Sequence, residues 1–207
     1  VKSRLIEKPY TERAIMTEIP ILGEISNNVS NKVRAQYEEN PYPRWVKVRI
    51  PSKAKTISEI SDELNLHLHS NSIKNVIAPD ILIAGCGTGK QILQALKYQN
   101  SVITAIDLSL SSLAYAKRKL DELGINNVEL IQMDILEIGL LGKSFDIIEC
   151  GGVLHHMDNP SRGLELLLGV LKKNGFLKLG LYSELARKEI VTARNYIREM
   201  KLKPTES

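Results

Sequence analysis

Five short apolar runs alternate with stretches of helical period after about residue 80, and this alternation limits the fold more than any other feature. In the intervening stretches, apolar residues recur at i, i+3 and i+4. Strands that are apolar throughout and separated by helices are typical of a parallel sheet covered on both faces. Since crossovers are right-handed, the sequence predicts an α/β fold with a doubly wound, mostly parallel, Rossmann-like sheet. The predicted strands are 80–84, 101–106, 128–133, 145–150 and 175–181, and the predicted helices between them are 91–98, 111–123 and 160–171.

The residues before the first run have a different character. Two helical patterns, 30–39 and 56–66, lie on either side of a proline-rich aromatic turn, Asn40–Trp45. Turn-forming residues at Ser70–Ser72 then mark a junction. We therefore predict two domains, a helical N-terminal preface at 1–75 and the sheet core at 76–207.

The two ends of the chain lead us to expect a fragment. The first residues, Val1–Arg4, contain no initiator Met and precede no apolar stretch, so no secretory signal is indicated and a cytoplasmic location is expected. A helix is predicted at 184–200, shortly before the sequence stops. Because a doubly wound sheet usually adds one or two strands at this edge, we expect a core that lacks its last strands.

Composition and charge argue against several classes of protein. With 43% hydrophobic and 25% charged residues, the chain is globular rather than fibrous or disordered. No apolar run reaches the ~18 residues that a membrane span needs. The net charge of +4 comes from bases scattered through segments such as 116–119 and 171–173, so no specific nucleic-acid partner is expected. Two cysteines outside CxxC spacing, and His67 and His69 without a third ligand, predict no metal site.

A glycine-rich loop, Gly85–Gly89, follows the first predicted strand. Glycines allow the backbone to approach a ligand because no Cβ stands in the way. A dinucleotide fingerprint, GxGxxG, would need a third glycine at the position of Lys90. The GxGxG spacing instead favours a ligand made of a nucleoside and an amino acid, and leaves a nicotinamide oxidoreductase as a distant alternative.

Two aspartates stand at the ends of the next two strands. Asp107 is placed to accept hydrogen bonds from a ribose diol, and Asp134 to accept one from the exocyclic amine of adenine while the next backbone N–H donates to a ring nitrogen. Alternatively, Asp107 caps a helix and Asp134 belongs to a turn. Three consecutive strand ends addressing one nucleoside favour the binding role.

These segments resemble class I S-adenosylmethionine-dependent methyltransferases. The resemblance rests on residues Ile81–Gln91, Ala105–Ser109, Leu113–Lys119 and Phe145–His156. More narrowly, Gln36–Trp45 ahead of this core resembles the bacterial methyltransferase module that is often attached to tetratricopeptide repeats. The similarity covers roughly residues 30 to 200, and a repeat domain in the full-length chain is a possible partner.

The resemblance implies a seven-stranded fold, of which this chain supplies five strands, with S-adenosylmethionine as cofactor and S-adenosylhomocysteine as product. Gly85, Gly87 and Gly89 would line the methionine part, Asp107 the ribose, and Asp134 with Ile135 the adenine, while Glu149 to Gly151 would lie beside the sulfonium. The full set of predicted cofactor-binding residues is Gly85, Cys86, Gly87, Gly89, Asp107, Leu108, Asp134, Ile135, Cys150 and Gly151.

His155 and His156 directly follow the fourth predicted strand and are the predicted catalytic residues. A general base within reach helps when the acceptor is a hydroxyl or an amine. The fourth strand runs into Glu149-Cys150-Gly151-Gly152 rather than an Asn/Asp-Pro-Pro-Tyr signature, so methylation of nucleic-acid bases and of glutamine is less favoured. We therefore expect a methyltransferase with a small-molecule acceptor.

Three alternatives remain open at the level of sequence. The chain is either an active enzyme or a catalytically inactive module that binds the donor or serves as a scaffold in a larger repeat protein. Tyr37, Tyr42 and Trp45 either fold over the cleft as a lid or anchor the preface. Cys86 and Cys150, expected close together near the donor, are either small packing residues or a redox pair.

Overall fold

Five parallel strands form a single sheet in the order β3-β2-β1-β4-β5. The computed structural model describes residues 7–68, 70–183 and 185–202. The doubly wound parallel sheet predicted from the sequence is confirmed. The strands are β1 (Asp80–Ala84), β2 (Val102–Asp107), β3 (Val128–Gln132), β4 (Phe145–Gly151) and β5 (Leu171–Gly180).

Helices cover both faces of the sheet because alternate strand residues point to opposite sides. Ile81 and Ile83 pack with α3, α4 and α5 on one face, whereas Leu82 and Ala84 pack with a 3₁₀ segment, Ile135–Leu141, and α6 on the other. The helices are α1 (Lys8–Met16), α2 (Asn28–Glu39), α3 (Ile57–Glu63), α4 (Lys90–Ala95), α5 (Leu110–Glu122), α6 (Pro160–Gly169) and α7 (Lys188–Glu199). Among the helices of the described residues, none has the length and apolarity required to cross a membrane.

The N-terminal residues are fastened to the sheet at its β3 edge. Gln132 at the end of β3 donates its N–H to the carbonyl of Pro20 at 2.9 Å and accepts the N–H of Leu22 at 3.0 Å. Nearby, α1 lies on α5 through a buried ion pair in which Arg118 Nε donates to Glu12 Oε1 at 2.9 Å. The preface is therefore docked on the sheet by specific polar contacts as well as by apolar packing.

Three elements differ most from the sequence expectation. The sequence does not predict helix α1, because its apolar pattern is weak. One of its two buried residues is Glu12, which is buried by its ion pair with Arg118. Strand β5 begins at Leu171 rather than near 175 because Lys172 reaches across to Asp80 and Asp146, at 2.6 and 2.9 Å, and so holds the polar start of the strand in place. Helix α7 begins at Lys188, and Glu184, the predicted start, lies outside the described residues.

Candidate functional site

A cavity of about 300 Å³ lies at the carboxyl ends of the strands, closed on one side by the preface. This is where ligands bind in open α/β sheets. Its strand-end side consists of residues 85–88, 106–108, 133–135 and 151. A second group of residues, which we call the histidine side, follows β4 and β5 and consists of His155, His156, Tyr182 and Arg187, of which His156 and Tyr182 line the cavity.

The glycines of the loop have two roles, close packing and exposure of the backbone to the cavity. Gly85 has a φ of +74°, and a Cβ there would stand 2.3 Å from Val153 Cγ2, so only glycine fits the packing. At Gly87, which lines the cavity, a Cβ would meet nothing closer than the Tyr42 carbonyl at 3.6 Å, so the backbone is open to a ligand. Gly89 lies outside the lining, and a Cβ there would press on Ala116 of α5 at 2.9 Å.

Asp107 joins the loop to the end of β2. Its Oδ2 accepts the N–H of Gly87 at 2.8 Å and its Oδ1 accepts the N–H of Ser109 at 3.0 Å. Burial raises the pKa of Asp107 above its ordinary value, and the negative charge of Glu38 adds to this, while the two N–H donors oppose it. Each carboxylate oxygen keeps a lone pair for a ligand in the cavity, which Asp107 and Leu108 line.

Asp134 has a structural role and also faces the cavity. Its Oδ1 accepts the N–H of Leu136 at 3.0 Å, which makes it the cap of the 3₁₀ segment that follows β3. Asp134 and Ile135 both line the cavity together with Met133. The turn role and the binding position foreseen for Asp134 are therefore compatible in one side chain.

The end of β4 brings Gly151 to the cavity but not Cys150. Gln91 Nε2 donates to the Gly151 carbonyl at 2.8 Å and so ties α4 to this strand end. Cys150 packs in the apolar cluster on one face of the sheet and Cys86 in the cluster on the other. Burial raises the pKa of both thiols, that of Cys150 to about 12, so each is a neutral packing group and they do not form a pair.

The two histidines have different surroundings. His156 is exposed and lines the cavity, whereas the His155 ring stacks on Tyr182 with centroids 3.8 Å apart. Both ring nitrogens of His155 are buried and have no hydrogen-bond partner among the described residues. Burial lowers the pKa of both histidines, and the guanidinium of Arg187, which lies 3.8 Å from the centre of the Tyr182 ring, adds to the effect. His156 is therefore suited to accept a proton from a group in the cavity.

The aromatic residues of the preface divide between anchoring and lining. Trp45 Nε1 donates to the Thr88 carbonyl at 2.9 Å, and Thr88 Oγ1 donates to the Pro43 carbonyl at 2.6 Å, which fixes the aromatic turn on the glycine loop. Tyr37 and Tyr42 line the cavity instead. Trp45 thus anchors the segment that carries the two tyrosines.

Glu38 links helix α2 of the preface to the start of helix α5. Its Oε1 accepts the N–H of Leu110 and its Oε2 that of Ser111, both at 2.8 Å, at the start of α5. A carboxylate at a helix N-terminus is favourable because it satisfies free N–H groups and the helix dipole. The contact holds α2 in the position from which Tyr37 reaches the cavity.

Sequence reasoning missed several lining residues, among them Thr88, Lys90, Gln91, Val153, Met157 and Tyr182. Tyr182 was the most accessible to prediction, since it follows the fifth strand and ligand sites lie beyond the carboxyl ends of strands. His69 lies outside the described residues, so the His67–His69 pair is not assessed. In the part of the chain that the structure describes, no group of three His, Cys, Asp or Glu residues is placed to hold a metal ion.

Comparison with known proteins shows that the core is similar to methyltransferase domains. Residues 82–179 match the family described as "Methyltransferase domain". The chain is 39% identical over 114 residues to an uncharacterized protein of Synechococcus, covering 54% of this chain and 27% of that protein. It is 29% identical over 182 residues to an uncharacterized protein of Rickettsia prowazekii, covering 86% and 67%. A malonyl-[acyl-carrier protein] O-methyltransferase of Halalkalibacterium halodurans is 34% identical over 101 residues, covering 47% and 36%.

Solved structures share the same arrangement of strands and helices. The structure of PKMT2 from Rickettsia typhi in complex with AdoHcy has a TM-score of 0.52 and 27% identity, covering 58% of this chain and 24% of that one. The fold is that of the class I methyltransferases. Magnesium protoporphyrin IX methyltransferase from Synechocystis, solved with bound SAH, has a TM-score of 0.57 at 18% identity, covering 82% and 80%, and supports the fold alone.

The matches to the curated relatives above cover between 27% and 67% of those proteins' lengths. The family match and the shared fold make the core similar to S-adenosylmethionine-dependent methyltransferases. The acceptor is a separate question, because acceptor sites in a shared fold are formed by residues specific to each protein.

Proposed function

We propose that this chain forms the catalytic part of an S-adenosylmethionine-dependent methyltransferase, with the donor held on the strand-end side of the cavity. Gly85 and Gly87 would line its methionine part, Asp107 would accept from the ribose hydroxyls, and Asp134 with Ile135 would hold the adenine. One observation carries this proposal: the open backbone at Gly87 and two strand-end carboxylates with free lone pairs face the same cavity. The predicted roles of Cys86 and Leu108, which also line the cavity, belong to the same proposal.

The donor supplies an electrophilic methyl group on a positively charged sulfur. The acceptor's lone pair forms a bond to the methyl carbon as the carbon–sulfur bond breaks, and sulfur keeps the bonding pair as a neutral thioether. Much of the rate then comes from alignment of acceptor and donor. A hydroxyl or amine acceptor also loses a proton, and His156 is the group in the cavity that we assign to receive it.

His155 has a supporting place in this scheme. Its ring lies between His156 and Tyr182, with centroids 4.3 and 3.8 Å away, and it is not among the lining residues. We infer that His155 holds the orientation of its neighbours rather than exchanging a proton with the acceptor. Cys150 and Gly89 would act in the same indirect way, through packing behind the cavity.

The cavity volume of about 300 Å³ is at the lower end of the range for a single small ligand, roughly 300–1,000 Å³, and is assigned here to the donor. The small-molecule acceptor is therefore a part of the proposal that is based on the sequence pattern at residues 149–156. A repeat domain in the full-length protein is a further part of the proposal, based on the sequence resemblance alone, and the cytoplasmic location expected from the sequence stays a prediction.

The first experiment is calorimetric titration with S-adenosylhomocysteine, with NAD as the comparison ligand. We expect binding of S-adenosylhomocysteine alone. The variant Asp107→Asn is preferable to Asp107→Ala, because an amide oxygen still accepts one of the two N–H groups that the carboxylate satisfies. Asp121→Asn, on the exposed side of α5, is the matched control.

Loss of S-adenosylhomocysteine binding in Asp107→Asn alone, at unchanged melting temperature, supports the ribose assignment. Equal affinity in both variants contradicts it. For catalysis, His156→Ala should leave that affinity unchanged and lower turnover by about 10²-fold or more with any hydroxyl or amine acceptor found by screening. Tight binding without turnover of any acceptor would favour the inactive module instead.

A further inference from the structure

Residues 44–55 form a basic strap beside the cavity. Five bases lie in this segment, and no acidic residue occurs between Asn40 and Ser58. The bases are Arg44, Lys47, Arg49, Lys53 and Lys55. The segment alone has a formal charge of +5, whereas the whole chain has +4. The bases of the chain are therefore less evenly scattered than the sequence analysis suggests.

The central bases of the strap have no internal partner. Lys47, Arg49 and Lys53 are exposed, and none of them lies within 4.0 Å of a carboxylate of the described residues, whereas Arg44 reaches Glu12 and Lys55 reaches Glu63. Lys90, which is exposed at the start of α4 and lines the cavity, is likewise without such a partner in the described ranges. The charge is available to a binding partner.

The path of the strap is fixed at both ends. At its start, Trp45 donates to the Thr88 carbonyl beside the cavity. At its end, Lys55 donates its N–H to the Lys97 carbonyl at 2.7 Å and accepts the N–H of Gln99 at 2.8 Å. Since these contacts lie just before and just after α4, the strap runs along α4 away from the mouth of the cavity, with Val48 packed on the core between them.

Apolar side chains among the bases indicate what kind of partner fits. Val46 and Ile50, on either side of Lys47 and Arg49, are 59% and 40% exposed. A protein surface can cover such side chains while its carboxylates meet the bases. Single-stranded nucleic acids gain affinity from stacking on aromatic rings, and Trp45, the one aromatic residue of the strap, is packed against Tyr115 with centroids 6.0 Å apart.

We propose that the basic strap docks an acidic protein surface and so brings that partner to the mouth of the cavity. Complementary charge steers such a partner and fixes its orientation, while contact with the exposed aliphatic groups adds affinity. The partner is a carrier of the small-molecule acceptor, a role that rests on the proposed function. The docking itself does not depend on the methyl-transfer chemistry and is measured without it.

The test uses fluorescence anisotropy of a labelled glutamate–tyrosine copolymer at 50 mM and 300 mM salt. Its main variant is Lys47→Ala/Arg49→Ala/Lys53→Ala. The control, Lys143→Ala/Arg162→Ala/Lys173→Ala, changes the net charge equally at exposed bases outside the strap. We expect the strap variant to bind about tenfold more weakly at 50 mM salt and the control less than twofold.

Absence of binding to the intact chain at 50 mM salt, or an equal loss in both variants, would overturn the proposal. A uridine 20-mer, and vesicles of phosphatidylserine and phosphatidylcholine, are titrated in parallel. If either binds more tightly than the copolymer and loses affinity only in the strap variant, the partner is not an acidic protein. Unchanged S-adenosylhomocysteine affinity and melting temperature in the strap variant show that any loss comes from the strap and not from the fold.

Discussion

The strand-end side and the histidine side of the cavity are built in opposite ways. On the strand-end side, Asp107 and Asp134 accept hydrogen bonds from backbone N–H groups, and Asp107 ties the glycine loop to the end of β2. On the histidine side, both His155 nitrogens have no partner among the described residues, and stacking of rings replaces hydrogen bonding. In the proposed scheme, the donor side is therefore held by hydrogen bonds, whereas the acceptor side is held by the packing of rings.

The rigidity of the strand-end side is tested most severely at Gly85. Gly85→Ala places a methyl group 2.3 Å from Val153 Cγ2 at a φ of +74°, so we expect a loss of about 3 kcal/mol in unfolding free energy and loss of S-adenosylhomocysteine binding. Gly142→Ala is the control, because its φ of +60° carries the same backbone strain but nothing lies within 4 Å. It should cost about 1 kcal/mol. Equal losses of unfolding free energy in the two variants, measured by urea unfolding, would show that the Val153 side chain moves away from the new methyl group at little cost.

The support behind the strand-end side is tested at Glu38. Glu38→Gln removes the charge that meets the Leu110 and Ser111 N–H groups, and we expect a loss of about 1 kcal/mol in unfolding free energy. The pKa of Asp107 should fall, since the Glu38 charge raises it. Glu39→Gln, an exposed change one residue away on the same helix, should alter neither quantity. Carboxyl NMR titration with urea unfolding measures both; an unchanged Asp107 pKa would contradict the coupling.

The smallest effect is expected on the histidine side. Arg187→Gln should raise the pKa of His155 and His156, because the guanidinium charge lowers both, whereas Arg187→Lys keeps the charge and should change them less. Imidazole NMR titration measures the shifts. Equal titration curves in the two variants would mean that the charge at position 187 does not lower these pKa values.

The same substitution has a pH signature with a defined sign. A histidine whose pKa is lowered on folding binds protons more readily when unfolded, so its contribution to stability is present above the ordinary pKa of about 6.5 and is lost as the pH falls through the folded pKa. Unfolding free energy should therefore decline from pH 7.5 to pH 5. In Arg187→Gln the decline from these histidines should be smaller.

The contrast between the two sides also explains what the sequence could predict. The strands and the residues at their ends follow from local sequence patterns. Strand β1 has the predicted bounds, Asp80–Ala84, and the cavity is lined by three residues predicted at strand ends, Gly87, Asp107 and Asp134. Such positions are determined by the period of a strand and by where it ends. They need no knowledge of distant contacts.

What could not be predicted depends on partners far away in the chain. Helix α1 is stabilised by the pairing of Glu12 with Arg118, and Tyr182 enters the site by stacking on His155. The preface aromatics left two interpretations open, and only the bond from Trp45 to the Thr88 carbonyl separates the anchor from the two lining tyrosines. None of these contacts leaves a periodic signal in either segment alone.

The pairing of Pro20 and Leu22 with Gln132 has a consequence for how the chain folds during synthesis. Residues of the preface leave the ribosome before those of the sheet, and their contacts on α5 and β3 lie in sequence that is made later. Closing so long a loop is slow compared with forming a helix, so the preface waits without its partners while the sheet is completed. Burial of α1 is then among the last steps of folding and reports that the strands beneath it have already assembled.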